Sequence, residues 1–396
     1  MNKVLLEKRG KVMIIRNFGK LSSGKDAGLY ILRNNRGMSA AVTNYGAALV
    51  SLNVPDRHGR MIDVVLGYED AAGYEAGHGS LGGSIGRVAN RISNASFTLS
   101  GREYQLTANE GLNTLHGGRD PYNHRLWDVR IPFTKVNSGD LMNAVASESI
   151  SDGVSKQASD NLSDSQITFC LDSPAGDQGF PGNMHLEITY RLTDSGALEI
   201  IYEAESDADT PIGFTNHSYF NLNGHDSGSV LGHEAQIRAD YYTATDNALI
   251  PTGALTDVSG TAMDFREFKA LGRDIDADYD ALRFGKGYDH NYVVGDYPEG
   301  VEHEGAGREC REIAALMSHD TGIIMKVFTD MPGVQMYTAN GLHGQVGKGG
   351  TVYEPRSGVC FETQFWPDTV NKVNFPGGIL RAGKKFISKT AYQFTL

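Results

Sequence analysis

Cysteine is scarce, with three in 396 residues at Cys170, Cys310 and Cys360. Odd in number and far apart, they exclude a disulfide framework and suggest a reducing compartment. Basic charge is also short, with 36 Lys and Arg against 48 Asp and Glu and a net charge of −12. Nucleic acids and acidic membranes are bound by basic patches, so neither is an expected partner. No apolar run approaches the roughly 18 residues of a membrane-spanning helix. The N-terminal "MNKVLLEKRGKVMIIRNFGK" lacks the apolar stretch of a secretory signal. A cytoplasmic location is therefore expected.

Cofactor signatures are missing as well. "GGSIGRVANR" lacks the glycine spacing and strand-to-helix context of a dinucleotide fold, and "GLHGQVGKGGT" does not fit the Walker spacing. Among 12 histidines there is no HExxH, and no CxxC occurs. His217, His225 and His233 fall eight apart, which matches no simple ligand geometry on a helix or strand. Neither a metal nor a nucleotide cofactor is expected.

Glycine, at 48 residues, is plentiful, and 40% of the chain is hydrophobic, enough for a sizeable core. The length suits two ordinary domains or one large all-β domain. Helical periodicity is rare. Short alternating or β-branched runs recur instead: "AALVSLNVP", "ASFTLSG", "HLEITYRLT", "ALEIIYEAE", "HNYVVG" and "GIIMKVFT". Punctuated by Gly, Asn and Asp, they predict a large antiparallel sandwich or barrel. "FTLSGREYQLT" predicts a hairpin turning at Ser100-Gly101. No repeat of fixed period is present, which weighs against a propeller or solenoid. Residues 137–166, rich in Ser, Asp and Asn, read as a polar surface insertion between two strands with no function of its own.

Four segments carry chemistry. In "PIGFTNHSYFNLNG" (211–224), strand alternation places Thr215, His217, Tyr219 and Asn221 on a polar, aromatic face. Ile212, Phe214, Phe220 and Leu222 take the core side. His217 is then either a hydrogen-bonded structural residue or a proton carrier, and this stretch leaves both open. In "VCFETQFWPDTVNK", Glu362 lies among Val359, Phe361, Phe365 and Trp366. Apolar surroundings raise a carboxylate pKa from about 4.3 toward neutrality and make it a usable base, whereas on a solvated edge strand it would do nothing. In "GYDHNYVVG", Asp289 and His290 are strand neighbours on opposite faces, so they form no dyad. In "GRVANRISNASFTLSGREYQLTANEGLNTLHGG", Arg91 offers a fork of donors for hydroxyls, and His116 precedes two glycines at a tight turn.

In order along the chain, "GRVANRI", "NEGLNTLHGG", "GDQGFPG", "TNHSYFNLNG", "IPTG", "GTAMDFR", "GYDHNYV", "MPGVQMYTAN" and "FETQFWPDTVN" resemble the aldose 1-epimerase (galactose mutarotase) family over almost the whole sequence. The resemblance implies a single domain of the galactose mutarotase-like supersandwich type, an all-β antiparallel sandwich with an open sugar cleft. By position it implies Glu362 as catalytic base, His217 as catalytic acid and His116 as a second active-site histidine. Arg91 and Asp289 would hold sugar hydroxyls, with Asn90 and Gln335 as pocket neighbours. The implied reaction opens and recloses a free hexose such as D-glucose or D-galactose without metal or redox cofactor. The expected partner is a small-molecule aldose, acted on by a monomer or homodimer. The alternatives are a hexose-6-phosphate 1-epimerase, which needs a cationic pocket, a non-catalytic carbohydrate-binding protein, and a glycosidase using Glu362 and Asp289.

Overall fold

A computed structural model describes residues 3–8, 11–131, 134–136, 165–295 and 309–396. The polar insertion expected at 137–166 therefore lies outside the described residues, except that Ser165 and Gln166 open a strand.

Strand Met184–Leu192 shows why the chain folds as sheet. Met184, Leu186, Ile188, Tyr190 and Leu192 are buried, alternating with His185, Glu187, Thr189 and Arg191 at the outer face. That period of two suits a half-buried strand. Each large apolar side chain taken from water contributes about 1.5–3 kcal/mol, enough to fix the register. This strand pairs antiparallel with Ser165–Ser173 on one side and Ala197–Ser206 on the other. Repetition of the pattern builds a ten-stranded sheet in which Lys385–Thr395 lies between Ala197–Ser206 and Ile324–Thr329.

Two smaller antiparallel sheets cover the large one. Six strands from Lys3–Lys8 to Met61–Asp63 form a meander in chain order. Its Tyr30 meets Phe169 of the large sheet edge-on at 5.7 Å, and Tyr190 donates a 2.7 Å hydrogen bond to the Ala47 carbonyl. The other is five-stranded, in the order Pro251–Asp257, Tyr241–Thr245, Asp289–Val293, Gly333–Tyr337 and Cys360–Gln364. It docks through Tyr392, whose hydroxyl donates to the Phe361 carbonyl at 3.0 Å, and through a Thr363–Thr390 hydroxyl pair. One apolar cluster runs through all three sheets, from Tyr30 to Ile188 to Val334. The all-β sandwich expected from the sequence is the fold. All six strand-like runs lie in strands, and the hairpin turns at Ser100-Gly101 with Arg102 opposite Leu99.

One expectation fails. The 211–224 segment is not a continuous strand: only Thr210–Pro211 and Thr215–Asn216 are regular, and residues beyond them run as loop. Side chain–backbone bonds replace the ladder there. Asn216 Nδ2 donates to the Gly82 carbonyl at 2.7 Å, and Asn221 Nδ2 donates to those of Gly228 and Ser357. Asn221 is thus a loop tie rather than part of a polar shell, and the Thr215 hydroxyl is buried without a partner among the described residues.

Candidate active site

The five-stranded sheet presents two unlike faces. His290, Tyr292, Val334, Met336, Phe361 and Thr363 point to one side, and all are buried. On the other side, cross-strand pairing aligns Asp289 with Tyr337, Tyr337 with Cys360, Asn291 with Gln335, and Gln335 with Glu362. A row of amides and acids on a packed sheet face needs partners. It has them in part: Gln364 Nε2 donates to Asn291 Oδ1 and Gln335 Oε1, and Gln335 Nε2 donates to Asp289 Oδ1 at 2.7 Å.

Cys360–Gln364 is the last strand of this sheet, yet every residue in it is buried. The His217 segment covers it. Phe220 and Val359 exchange backbone hydrogen bonds of 2.8 and 3.0 Å, laying His217 alongside Glu362. The His217 backbone is gripped by Gly82 and Gly83, its N–H donating to the Gly83 carbonyl and its carbonyl accepting from Gly82 N–H. Gly82 has φ +67 and a Cβ there would collide with the Leu49 carbonyl, so only glycine fits.

Arg91 and His116 arrive together because Arg91–Ile92 pairs with Thr114–Leu115. His116 (φ 52) and Asn90 (φ 63) then face each other in left-handed conformations. His116 N–H donates to the Asn90 carbonyl at 3.0 Å, and Asn90 N–H donates to His116 Nδ1 at 3.2 Å. An accepting Nδ1 leaves the proton of the neutral ring on Nε2.

These pieces enclose a cleft of about 320 Å³. Glu362, His217, His116, Arg91, Asp289, Asn90 and Gln335 all line it. His225 and His233 lie elsewhere, bonded to Tyr353 and to Leu222 N–H. His290 faces away from Asp289's side, edge-on to Tyr242. The sequence reasoning missed Glu110, Cys360, Tyr337 and Gln364. Stepping by two from Glu362 and Gln335 would have found the last three. Glu110 had no local signal, since it reaches Arg91 only through the pairing of distant segments.

His217 Nε2 and Glu362 Oε1 stand 3.7 Å apart, both nearly inaccessible to solvent. That is longer than a hydrogen bond, so neither group is committed to the other. Glu362 Oε2 has no hydrogen-bond partner among the described residues. Burial pushes the Glu362 pKa well above the usual carboxylate range, with Asp289 adding to it and Arg91 opposing. Burial also pushes His217 down to about 4, and holds His116 well below its ordinary value with help from His217 and Arg91. His217 Nδ1 is 3.5 Å from the buried Cys360 Sγ, and its ring stacks on Tyr219 at 4.9 Å. Tyr219 is itself fixed by a 2.7 Å bond to the Gly79 carbonyl.

Arg91 is gripped in a fork, with Nε and Nη2 donating to the Glu110 oxygens at 2.6 and 2.8 Å. Burial works against its charge, while Asp289, Glu110 and Glu362 sustain it. Asp289 is raised by burial, offset by Arg91 and by the Gln335 hydrogen bond. His116, His217 and Glu362 each bring one ligand-type atom to within 4.8 Å of the others, so the trio has donors for a metal ion.

The aldose 1-epimerase family profile matches residues 28–142 and 153–393. The chain is 36% identical over 382 residues to galactose mutarotase of Mus musculus, covering 96% of this chain and 97% of that protein. It is 35% identical over 373 residues to aldose 1-epimerase of Escherichia coli strain K12, with 94% and 96% covered. The crystal structure of galactose 1-epimerase from Lactobacillus acidophilus NCFM superposes with a TM-score of 0.75 at 26% identity, covering 97% of this chain and 98% of that one.

Proposed function

Because the chain belongs to the aldose 1-epimerase family, we propose that it interconverts the α and β anomers of free hexoses such as D-glucose and D-galactose, with Glu362 as base and His217 as acid. The observation that carries the assignment is the pair itself: a carboxylate with an open oxygen, 3.7 Å from an imidazole, both desolvated at the floor of a sugar-sized cleft.

In the opening direction Glu362 takes the proton of the C1 hydroxyl while His217 gives its Nε2 proton to the ring oxygen. The C1–O5 bond breaks and C1 becomes an aldehyde. Rotation about C1–C2 presents the other carbonyl face. On closure the O5 proton returns to His217 and Glu362 returns its proton to O1, giving the opposite anomer. The pair holds one proton throughout: on the imidazole while the sugar is cyclic, on the carboxyl while it is open. Burial favours the uncharged arrangement, which is the open-chain state, and Arg91 opposes it by stabilising the carboxylate.

The Cys360 thiol suits this exchange. In both charge states the Nδ1–H of His217 donates weakly to its sulfur, so the thiol orients the histidine without fixing its charge. A carboxylate in its place would hold the ring charged. His116, with its proton on Nε2, is positioned to donate to a sugar oxygen, and Asp289, Gln335 and the Arg91 fork to hold hydroxyls. Arg91 is the one Lys or Arg among the described residues lining this cleft, and Glu110 already engages it, which does not favour a phosphorylated sugar.

Polarimetry tests the assignment. Wild type should speed the equilibration of freshly dissolved α-D-glucose or α-D-galactose, and Glu362→Gln and His217→Asn should not. A wild type that leaves the buffer rate unchanged sinks the activity, and fully active variants sink the roles.

A further inference from the structure

The outer face of the ten-stranded sheet carries a separate cluster that shares no residue with the cleft. On the paired strands Ser165–Ser173 and Met184–Leu192, Cys170 lies opposite Glu187 and Asp172 opposite His185. Cross-strand neighbours on one face are close enough for their side chains to converge. His185 Nδ1 is 2.6 Å from Asp172 Oδ1, and His185 Nε2 is 3.3 Å from Glu187 Oε1. Cys170 Sγ is 3.9 Å from that same oxygen. One atom each from Cys170, His185 and Glu187 therefore falls within 4.8 Å of the others.

We propose that Cys170, His185 and Glu187 form a surface site for a zinc-type transition-metal ion, with Asp172 orienting the histidine. Tetrahedral zinc, with bonds near 2.0–2.3 Å, places its ligand atoms roughly 3.3–3.6 Å apart. The 3.3 Å separation of His185 Nε2 and Glu187 Oε1 already fits, and Cys170 Sγ, 3.9 Å from that oxygen, moves inward to join them. The Asp172 contact is independent support. A carboxylate on Nδ1 keeps the ring proton there and turns the Nε2 lone pair toward Glu187 and Cys170, the arrangement that orients metal-binding histidines. Arg130 pairs with the other Glu187 oxygen, Oε2, which leaves Oε1 toward the ion.

The donor set is also selective. Thiolate, imidazole and one carboxylate suit a borderline-soft ion, whereas calcium and magnesium call for oxygen ligands. Binding displaces the thiol proton of Cys170, and any proton on His185 Nε2, into solvent, with no change of oxidation state. Without the ion, a protonated His185 bridges Asp172 and Glu187 and occupies the same place electrostatically.

The test uses the full chain, reduced and stripped with chelator. Titration with Co²⁺ reads the thiolate-to-metal absorption band, and Zn²⁺ binding is measured by calorimetry. One zinc per chain is expected, weakened at least tenfold in Cys170→Ser and His185→Gln, with the cobalt thiolate band lost in Cys170→Ser. Asp172→Asn, at an exposed position where misfolding is not a concern, should weaken zinc binding roughly 10–100-fold. Sugar mutarotation should be the same with and without zinc in all of these proteins. Equal zinc affinity in wild type, Cys170→Ser and Asp172→Asn overturns the site. So does zinc binding abolished by His116→Ala but not by Cys170→Ser, which would place the ion in the cleft.

Discussion

The cleft and the outer face of the ten-stranded sheet each bring a histidine, a carboxylate and a thiol together, and they leave the imidazole in opposite conditions. In the cleft, His217 stands beside Glu362 and Cys360 with almost no solvent access, and burial holds it down to about 4. On the sheet face, His185 stands beside Glu187 and Cys170 half in water. Burial works against its charge there too, but the bonds to Asp172 and Glu187 outweigh it and the pKa is raised. The same functional groups are thus proposed as a proton relay in one place and as a metal site in the other. Burial and contact distance decide between them: in the cleft full desolvation meets a 3.7 Å separation with no hydrogen bond, while at half-exposed His185 a smaller desolvation cost is outweighed by direct bonds to Asp172 and Glu187.

The sharpest way to break this comparison is at the buried pair. Glu362→Gln and His217→Asn should each lower mutarotation kcat by roughly 10²–10⁴-fold, the usual contribution of a positioned acid or base. The cuts should fall on kcat more than on KM, as read by polarimetry over a range of sugar concentrations.

Next in size is a pH effect on stability. His233 is buried and accepts the Leu222 N–H on Nε2, so it folds neutral, its pKa pushed down to about 4 by burial against an opposing pull from Asp320. A histidine with a depressed folded value contributes stability that is complete above about 6.5 and lost as pH falls toward 4. His233→Gln should therefore flatten the wild-type fall in Tm across that window, by up to about 3 kcal/mol of unfolding free energy. His185→Gln should act with the opposite sign. The raised His185 adds stability in acid that is lost as pH rises through its folded value, so its removal costs stability only at low pH. Thermal melts from pH 4 to pH 8 compare the two.

A smaller change is expected at Arg91. Arg91→Lys loses the two-pronged grip on Glu110 and the planar donor set, which should raise KM about tenfold with kcat less affected. Smallest of all is Cys360→Ala, which removes the Nδ1 partner of His217. A several-fold loss of kcat with a displaced pH profile is expected, and Cys360→Ser should recover most of both. A purely packing role would leave the pH profile where it is.

The sheet fold was readable because alternating burial is a local pattern: "HLEITYRLT" writes its two faces residue by residue. Which sheets pair, and in what order, is set by contacts between distant segments, such as Lys385–Thr395 against Ala197–Ser206, and no local window of sequence holds them. The cleft residues were placed by family resemblance, and the structure brings all of them to one cavity. What local reading missed was how His217 is held. Strand alternation assigned Asn221 to its face, but Asn216 and Asn221 bond to loop carbonyls instead, and side chain–backbone competition of this kind breaks strands. Glu362 is buried with a raised pKa, as its apolar neighbours suggested, but for a different reason. It does lie on an outer strand of its sheet, but the His217 loop covers that strand and dries it.

That cover has a consequence for how a turnover is divided between enzyme and sugar. Glu362 sits mid-strand in register with Gln335, and His217 sits in a loop whose backbone is tied to Gly82 and Gly83 and whose ring stacks on Tyr219. The half-turn that changes one anomer into the other must be made entirely by the substrate, inside a stationary frame that serves both directions alike. On the roles proposed for Glu362 and His217, the protein has little to reorganise in each cycle, and the pivot about C1–C2 belongs to the sugar.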